Sequence, residues 1–247
     1  MQTTIITISK NSAKTLERTV LSVLAQSVLP QEYIFVDGHS TDATPPLLVE
    51  MKKKLEMNRV PTTILSQIHK AGNAGIPEAW NQGISAATGD VIAILNSDDA
   101  YEPYAIHDAQ ELFRQDPDAE IAVLPIRWVD AAGNSQGIFK PAPLNRLYWR
   151  MAVPHPGCFV KASVYRRIGL YNTKYSLSAD YEFLWRCKMA GVRFVYGKTP
   201  AVNMETGGAA NSHRSVARNE TLAIASKYTK FPVLPLAAWL TRFLLRR

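Results

Sequence analysis

The chain has 247 residues and a mass of 27.5 kDa, enough for one large α/β domain with a substantial core. Its 47% apolar and 20% charged residues are ordinary globular proportions and exclude a disordered or fibrous class. The net charge of +7 conceals an asymmetry, with 9 Lys and Arg against 16 Asp and Glu in residues 1–120, and 19 against 5 in residues 121–247. A uniformly basic nucleic-acid binder does not look like this. An acidic half suits a bound cation, and a basic half suits an anionic partner. No run reaches the roughly 18–20 apolar residues of a spanning helix, and no charged n-region of a signal peptide is visible. Cys158 and Cys187 have no CxxC spacing, so a disulfide scaffold and a cysteine zinc site are poor readings and a cytosolic location is expected.

In chain order, Ile5–Ile8 is a short β-branched strand ending at Ser9-Lys10-Asn11. Leu16, Val20, Val23 and Leu24 fall at helical spacing over 12–26, with Ser12 or Asn11 as the expected N-cap. A second strand at Tyr33–Val36 stops at Asp37-Gly38-His39-Ser40, a helix covers about 45–57, and Thr62–Leu65 forms a third strand. Ile76, Ala79, Gly83, Ile84 and Ala87 form a helical stripe, and Val91–Leu95 is a fourth strand running into Asn96-Ser97-Asp98-Asp99. Strands apolar through their length and separated by helices imply a parallel sheet covered on both faces. Ligands bind such sheets beyond the strand C-termini, where Ser9–Asn11, Asp37–Asp42 and Asn96–Asp99 all fall. The second half is less regular. Ala122–Leu124 and Arg127–Val129 read as short strands, 131–134 as a turn, and the Pro-rich stretch of Pro141, Pro143, Pro154 and Pro156 as loop. Helices are expected over 180–190 and 216–228, with a strand over 192–196 between them.

Each acidic motif has an ordinary structural role beside a chemical one. Asp98-Asp99 is a pair of repelling carboxylates that a hard divalent cation would compensate, or else a turn and cap before Pro103. Asp37 can accept from a base or ribose, while Ser40, Thr41 and Asp42 fit an Asx-type turn leading into a capped helix. Asp180, in Ser-Ala-Asp-Tyr-Glu-Phe, can serve as a general base or as a helix cap with Glu182 in the first turn. His69, His107 and His213 lack ligand spacing, and His155 has either an acceptor-side or a structural role. There is no GxGxxG, GxxxxGK[ST] or HExxH.

The order of the motifs adds to this. Thr7-Ile-Ser-Lys-Asn-Ser, Val36-Asp-Gly-His-Ser-Thr-Asp-Ala-Thr, Gly75-Ile-Pro-Glu-Ala-Trp-Asn-Gln-Gly-Ile, Ala87-Thr-Gly-Asp and Leu95-Asn-Ser-Asp-Asp resemble the inverting family 2 glycosyltransferases. Pro154-His-Pro-Gly-Cys-Phe, Ile168-Gly-Leu-Tyr-Asn, Ala179-Asp-Tyr-Glu-Phe and Glu205-Thr-Gly-Gly continue the resemblance, to the kind used in bacterial surface polysaccharide synthesis. It implies a GT-A fold, a Rossmann-like, mostly parallel sheet with helices on both faces. The domain would cover 1–225, with a nucleotide-binding half (1–100) and an acceptor half (101–225), and 226–247 would be a basic amphipathic tail. The implied reaction moves a sugar from a nucleotide-diphosphate donor, UDP-linked by expectation, to the hydroxyl of a lipid-linked or saccharide acceptor. Thr7 and Ser9 would line the nucleobase pocket, Asp37 would contact base or ribose, and Asp98 would lie near ribose and diphosphate. Asp99 would ligate Mg²⁺ or Mn²⁺, and Asp180 would be the catalytic base. Lys10, His39, Asn73 and Pro156 depart from the family's usual residues, which bears on donor and acceptor choice. The alternatives are a nucleotidyltransferase, which would carry a Gly-rich basic loop that Ser9–Ser12 is not, and a non-catalytic nucleotide-sugar-binding protein on the same fold. After Glu220 the chain holds five cations and no acid. With Trp239, Phe243 and Leu244 this suits either a helix docked on the domain or one lying in an anionic membrane surface, on its cytoplasmic face.

Overall fold

The computed structural model describes residues 1–67, 75–130, 132–206 and 214–229. Strands β1 (Thr3–Ser9), β2 (Glu32–Asp37), β3 (Thr62–Ser66) and β4 (Val91–Ile94) alternate with helices α1 (Leu16–Leu24), α2 (Thr44–Met57) and α3 (Ile76–Ala86). The first half therefore follows its apolar periodicity closely. One expected cap differs. Helix α1 begins at Leu16, with Thr15 as N-cap, because Ser12 is spent elsewhere: its hydroxyl is 2.8 Å from that of Ser97, in the loop after β4.

The main sheet has seven strands in the order β10-β6-β9-β4-β1-β2-β3. Here β6 is Ile121–Val123, β9 is Cys158–Lys161 and β10 is Phe194–Tyr196. All neighbours run parallel except at β9, which is antiparallel to both β4 and β6. The expected halves thus share one sheet. Successive strand residues face opposite layers. Ile6, Ile34, Val36, Ile92 and Ile94 pack in one apolar layer with α3. Ile5, Tyr33, Phe35, Val91 and Ala93 pack in the other with α1 and α2. Burial on both faces is why these strands read as unbroken apolar runs. Helix α3 lies so close to β1 that a Cβ on Gly83 would stand 2.5 Å from Ile6 Cγ2.

A second, four-stranded sheet has the order β5-β11-β7-β8, formed by β5 (Ala100–Tyr101), β7 (Ile126–Val129), β8 (Ser135–Phe139) and β11 (Val202–Glu205). The two short strands expected near 122 and 127 both exist, but Leu124-Pro125 separates them into different sheets. Helices α4 (Ala105–Gln115) and α5 (Ala162–Ile168) and strands β5, β8, β9 and β11 go beyond the sequence reading. The Pro-rich stretch is mostly irregular, with two 3₁₀ turns at Leu144–Tyr148 and His155–Gly157. Helices α6 (Ala179–Met189) and α7 (Arg214–Tyr228) fall where expected. Both cysteines are free and buried. Among the described residues no helix is long and apolar enough to cross a membrane. His69, Asn73, His213 and the tail beyond Thr229 lie outside the described residues.

Candidate active site

The loops after β1 and β2 are laced together at the C-terminal edge of the sheet. Asn11 Oδ1 accepts from the Thr41 amide (2.8 Å), the Asn11 amide donates to Ser40 Oγ (2.9 Å), and the Ser12 amide donates to Thr44 Oγ1 (2.7 Å). Both loops turn through left-handed residues, Asn11 at φ 53° and His39 at φ 57°. Asn and His are among the non-glycine residues that tolerate this region, so His39 fits the backbone its loop adopts. Asp37 accepts from Ser40 Oγ (2.6 Å), the Ser40 amide (3.0 Å) and Ser9 Oγ (3.2 Å). Asp37 is therefore itself the Asx-type anchor of its loop, while its carboxylate remains partly exposed.

Two expected lining residues are placed differently. Thr7 is fully buried, its hydroxyl donating to the Leu95 carbonyl and lying 2.7 Å from Tyr33 Oη. It braces β1 beneath the cleft, because its position in the strand turns it into the core. Ser9 is also buried and commits its hydroxyl to Asp37.

Helix α1 fixes the backbone of the acidic pair. Arg18 donates to the Asp98 carbonyl (2.7 Å), and Thr19 to the Asp99 carbonyl (2.7 Å). Arg18 also pairs with Glu205, at the end of β11, at 2.8 Å. Asp99 is only 1% exposed, and its carboxylate accepts from the Asn96 side-chain Nδ2 at 3.4 Å. Burial and then the neighbouring Asp98 hold its carboxyl well above the usual range. Burial also raises Asp98, with the backbone opposing and Glu205 adding. A carboxylate this buried and this short of donors fits a bound cation, and the nearby side chains offer oxygen, which suits Mg²⁺ or Mn²⁺. Among the described residues no three His, Cys, Asp or Glu side chains form a cage, so phosphate oxygens and water would complete the shell.

The third element is a pocket lined by Ile121, His155, Cys158, Val160, Tyr171, Asp180, Phe183 and Leu184. Asp180 is the second residue of α6 and is partly buried. It is not the helix cap. Ser178 holds that position, and the Asp180 carboxylate accepts from the next amide, Tyr181, at 2.8 Å. Burial among apolar side chains pushes Asp180 up to about 6, against the lowering effect of that backbone bond. His155 lies 3.0 Å from Tyr171 Oη, and burial pushes it down to about 4.

Trp80 links the pocket to the acidic pair. Its ring stacks on His155 with centroids 4.4 Å apart, while its indole N–H points to Asn96 Oδ1 at 3.4 Å. The next residue, Asn81, brackets Tyr171, accepting its amide and donating to its carbonyl, both at 2.8 Å. One helix, α3, therefore touches the acidic loop and the walls of the Asp180 pocket. Neither these contacts nor the Arg18–Glu205 pair follows from spacing in the sequence, although Trp80 and Glu205 lie within its motifs. His107 pairs with the adjacent Asp108 on the surface.

A mostly parallel sheet with a nucleotide-type strand edge, an acidic pair at the end of β4 and a carboxylate pocket beside a reversed strand define the GT-A class. The solved structures agree. TarS of S. aureus in complex with UDP-GlcNAc matches with a TM-score of 0.70 and 18% identity over 98% of this chain and 72% of that one. The mannosyltransferase PcManGT from Pyrobaculum calidifontis, in complex with GDP-Man and Mn²⁺, matches with a TM-score of 0.70 and 17% identity over 98% and 69%. Residues 4–169 match glycosyl transferase family 2, and the chain belongs to that family. A succinoglycan biosynthesis protein, ExoO, of Rhizobium meliloti is 36% identical over 145 residues, 58% of this chain and 38% of that protein. The chain thus spans well under half the length of that relative.

Proposed function

We propose that the chain is an inverting glycosyltransferase that moves a sugar from a nucleotide-diphosphate donor, UDP-linked, to an acceptor hydroxyl. The observation that carries this reading is Asp180, a carboxylate near the base-competent range in an apolar pocket joined to the acidic loop through Trp80 and His155. Asp180 takes the acceptor proton as the acceptor oxygen bonds to the anomeric carbon. The bond from that carbon to the diphosphate breaks on the opposite face, which inverts the centre. Asp37 holds the base or ribose, with Ser9 orienting it, and Asp98 lies by the ribose and diphosphate. Asp99 would hold Mg²⁺ or Mn²⁺, whose charge offsets that building on the leaving diphosphate. Thr7 contributes through the backbone position it secures.

The UDP-GlcNAc held by TarS and the GDP-Man and Mn²⁺ held by PcManGT support a nucleotide-diphosphate sugar donor and the metal, and the first of them supports UDP. The succinoglycan relative supports a role in polysaccharide synthesis, and with it a lipid-linked or saccharide acceptor. The basic, acid-free segment after Glu220 supports contact with an anionic membrane surface on the cytoplasmic side. The test is Asp180→Asn, which keeps size and removes the proton acceptor. Nucleotide release from the active donor in a UDP-sugar panel should fall by about 10²–10⁴ at unchanged UDP affinity. Native turnover in that variant would move the base elsewhere.

A further inference from the structure

Asp180 receives its hydrogen bond from the backbone of its own helix. Its placement therefore depends on where the first turn of α6 lies, and that turn is anchored from outside. The N-cap Ser178 makes no capping bond within α6. Its hydroxyl donates to the Ala217 carbonyl of α7 at 3.2 Å. Immediately before it, both oxygens of Glu220 on α7 are engaged. Oε1 accepts from the Ser176 amide (2.8 Å) and Ser176 Oγ (3.0 Å), and Oε2 accepts from the Leu177 amide (3.0 Å). A carboxylate binding two successive amides and a hydroxyl is a charge-assisted clamp. It holds the chain entering α6, where the helix has no side-chain cap of its own. A turn further on, Tyr228 of α7 donates to Glu182 of α6 at 2.7 Å and stacks on Trp185 with ring planes 7° apart. Helix α7 thus grips α6 on both sides of Asp180. Residues 170–229 lie beyond the segment matched to the family.

We infer that Glu220 is a positioning residue that sets the Asp180 carboxylate in its pocket by clamping the 176–177 backbone to α7. The inference rests on Asp180 being the base. It accounts for a face of α7 whose polar contacts converge on the start of one helix. The titratable groups facing Asp180 are His155 of the 3₁₀ turn, Cys158 of β9, Tyr171 of the loop before α6 and Glu220 of α7. On its own helix stands Glu182, paired with Arg186. Of these, Glu220 contributes a negative charge that raises Asp180 further, so its removal moves the Asp180 midpoint to lower pH.

The experiment compares native chain, Glu220→Gln and Glu220→Asp by amide hydrogen exchange and by carboxyl-carbon NMR of labelled aspartate, with the Asp180 signal assigned through Asp180→Asn. In Glu220→Gln, exchange at Ser176 and Leu177 should rise by roughly tenfold, the loss of about one charge-assisted bond. The Asp180 midpoint should fall. Glu220→Asp should keep the midpoint nearer native while loosening the amides. If Glu220→Gln fails to fold, Ser176→Ala, which removes a single bond, carries the exchange readout at smaller amplitude. With the active donor, Glu220→Gln should lower kcat several-fold at unchanged donor KM, and should cost nothing more in an Asp180→Asn background. Native exchange and a native midpoint in Glu220→Gln, or losses that add to those of Asp180→Asn, overturn the assignment. Native turnover in Asp180→Asn would sink the base reading alone, and the NMR and exchange comparisons would still decide whether Glu220 sets the pocket.

Discussion

Arg186→Met is expected to be among the costliest single changes in the second half of the chain. Arg186 donates through Nε to Glu182 at 2.8 Å, through Nη1 to the carbonyls of Ile168 (2.9 Å) and Gly169 (3.2 Å), and through Nη2 to that of Leu170 (2.8 Å). Glu182 is 1% exposed, and with Arg186 gone its carboxylate keeps the Tyr228 hydroxyl at 2.7 Å. Breaking a buried pair from one side costs about 3–5 kcal/mol, because the partner charge stays behind. Methionine keeps much of the stem packing, so the loss is mainly electrostatic, with the freed carbonyls partly recovering water. At about 2 °C per kcal/mol for a chain of this size, the melting temperature should drop by about 6–10 °C. The double variant Glu182→Gln/Arg186→Met should recover part of this, since no charge is then stranded. The measurement is thermal or urea unfolding of the four proteins of the cycle at pH 7. A loss under about 1 kcal/mol for Arg186→Met, or equal losses for the single and double variants, would refute the argument. The change also bears on the site, because the clamped carbonyls directly precede Tyr171, the wall of the Asp180 pocket.

Three further outcomes are expected. Between pH about 4 and about 6 the folded chain retains a proton on Asp180 that the unfolded chain releases. Stability should therefore fall as pH rises through that window, and Asp180→Asn should be more stable than native by about 1–3 kcal/mol at pH 7.5 and equal to it near pH 4; identical melting curves at both pH values would contradict this. Calorimetry should show Mn²⁺-dependent UDP binding that Asp99→Ala abolishes with the fold intact, whereas equal affinity in EDTA removes the metal from the site. The full chain should co-sediment with anionic vesicles at low salt and a chain ending at Lys230 should not, at about 1 kcal/mol per cation near the surface; if both stay in the supernatant, the tail has no membrane role.

The strand-end site was legible because β1, β2 and β4 are buried on both faces, so each apolar run stops abruptly where the polar loop begins. Asp37 and the Asp98-Asp99 pair were placed by that boundary alone. Thr7 shows the limit of the argument. Being in the strand adjacent to the site says nothing about which way a side chain faces, and Thr7 faces inward to Leu95 and Tyr33. Helix α4 lies beyond the sequence reading although Ala105, Ile106, Ala109 and Phe113 are buried at helical spacing, a stripe that periodicity alone can show. Strand β9 is a different case. Its four residues follow His-Pro-Gly, and no local pattern marks a short strand as the one that reverses direction. The Asp180 pocket depends on that reversal, so the residues around Asp180 could be named from resemblance but not assembled from spacing. The ties from Glu220 and Arg186 span 43 or 44 residues in one case and 16 to 18 in the other, and no periodicity encodes such pairings.

Because β9 runs against its neighbours, its beginning rather than its end reaches the edge where the other strands finish. Register pairs Val91 with Lys161 and Ala93 with Phe159, so the chain just before Cys158 arrives beside the loop that follows β4. Gly157 seals this arrival: a Cβ there would stand 2.1 Å from the Leu124 carbonyl oxygen. The cleft is therefore assembled from two kinds of sequence with different tolerance for change. Loops that leave β1, β2 and β4 are laced to one another, and lengthening any of them unpicks the rest. The stretch that leads into β9 begins with the outward-facing hairpin strand β8 and continues through short 3₁₀ turns. Only its exposed β8 end is open to change: nearer β9 it buries Leu147, Ala152 and Val153, and Tyr181, next to Asp180, donates to the Leu147 carbonyl.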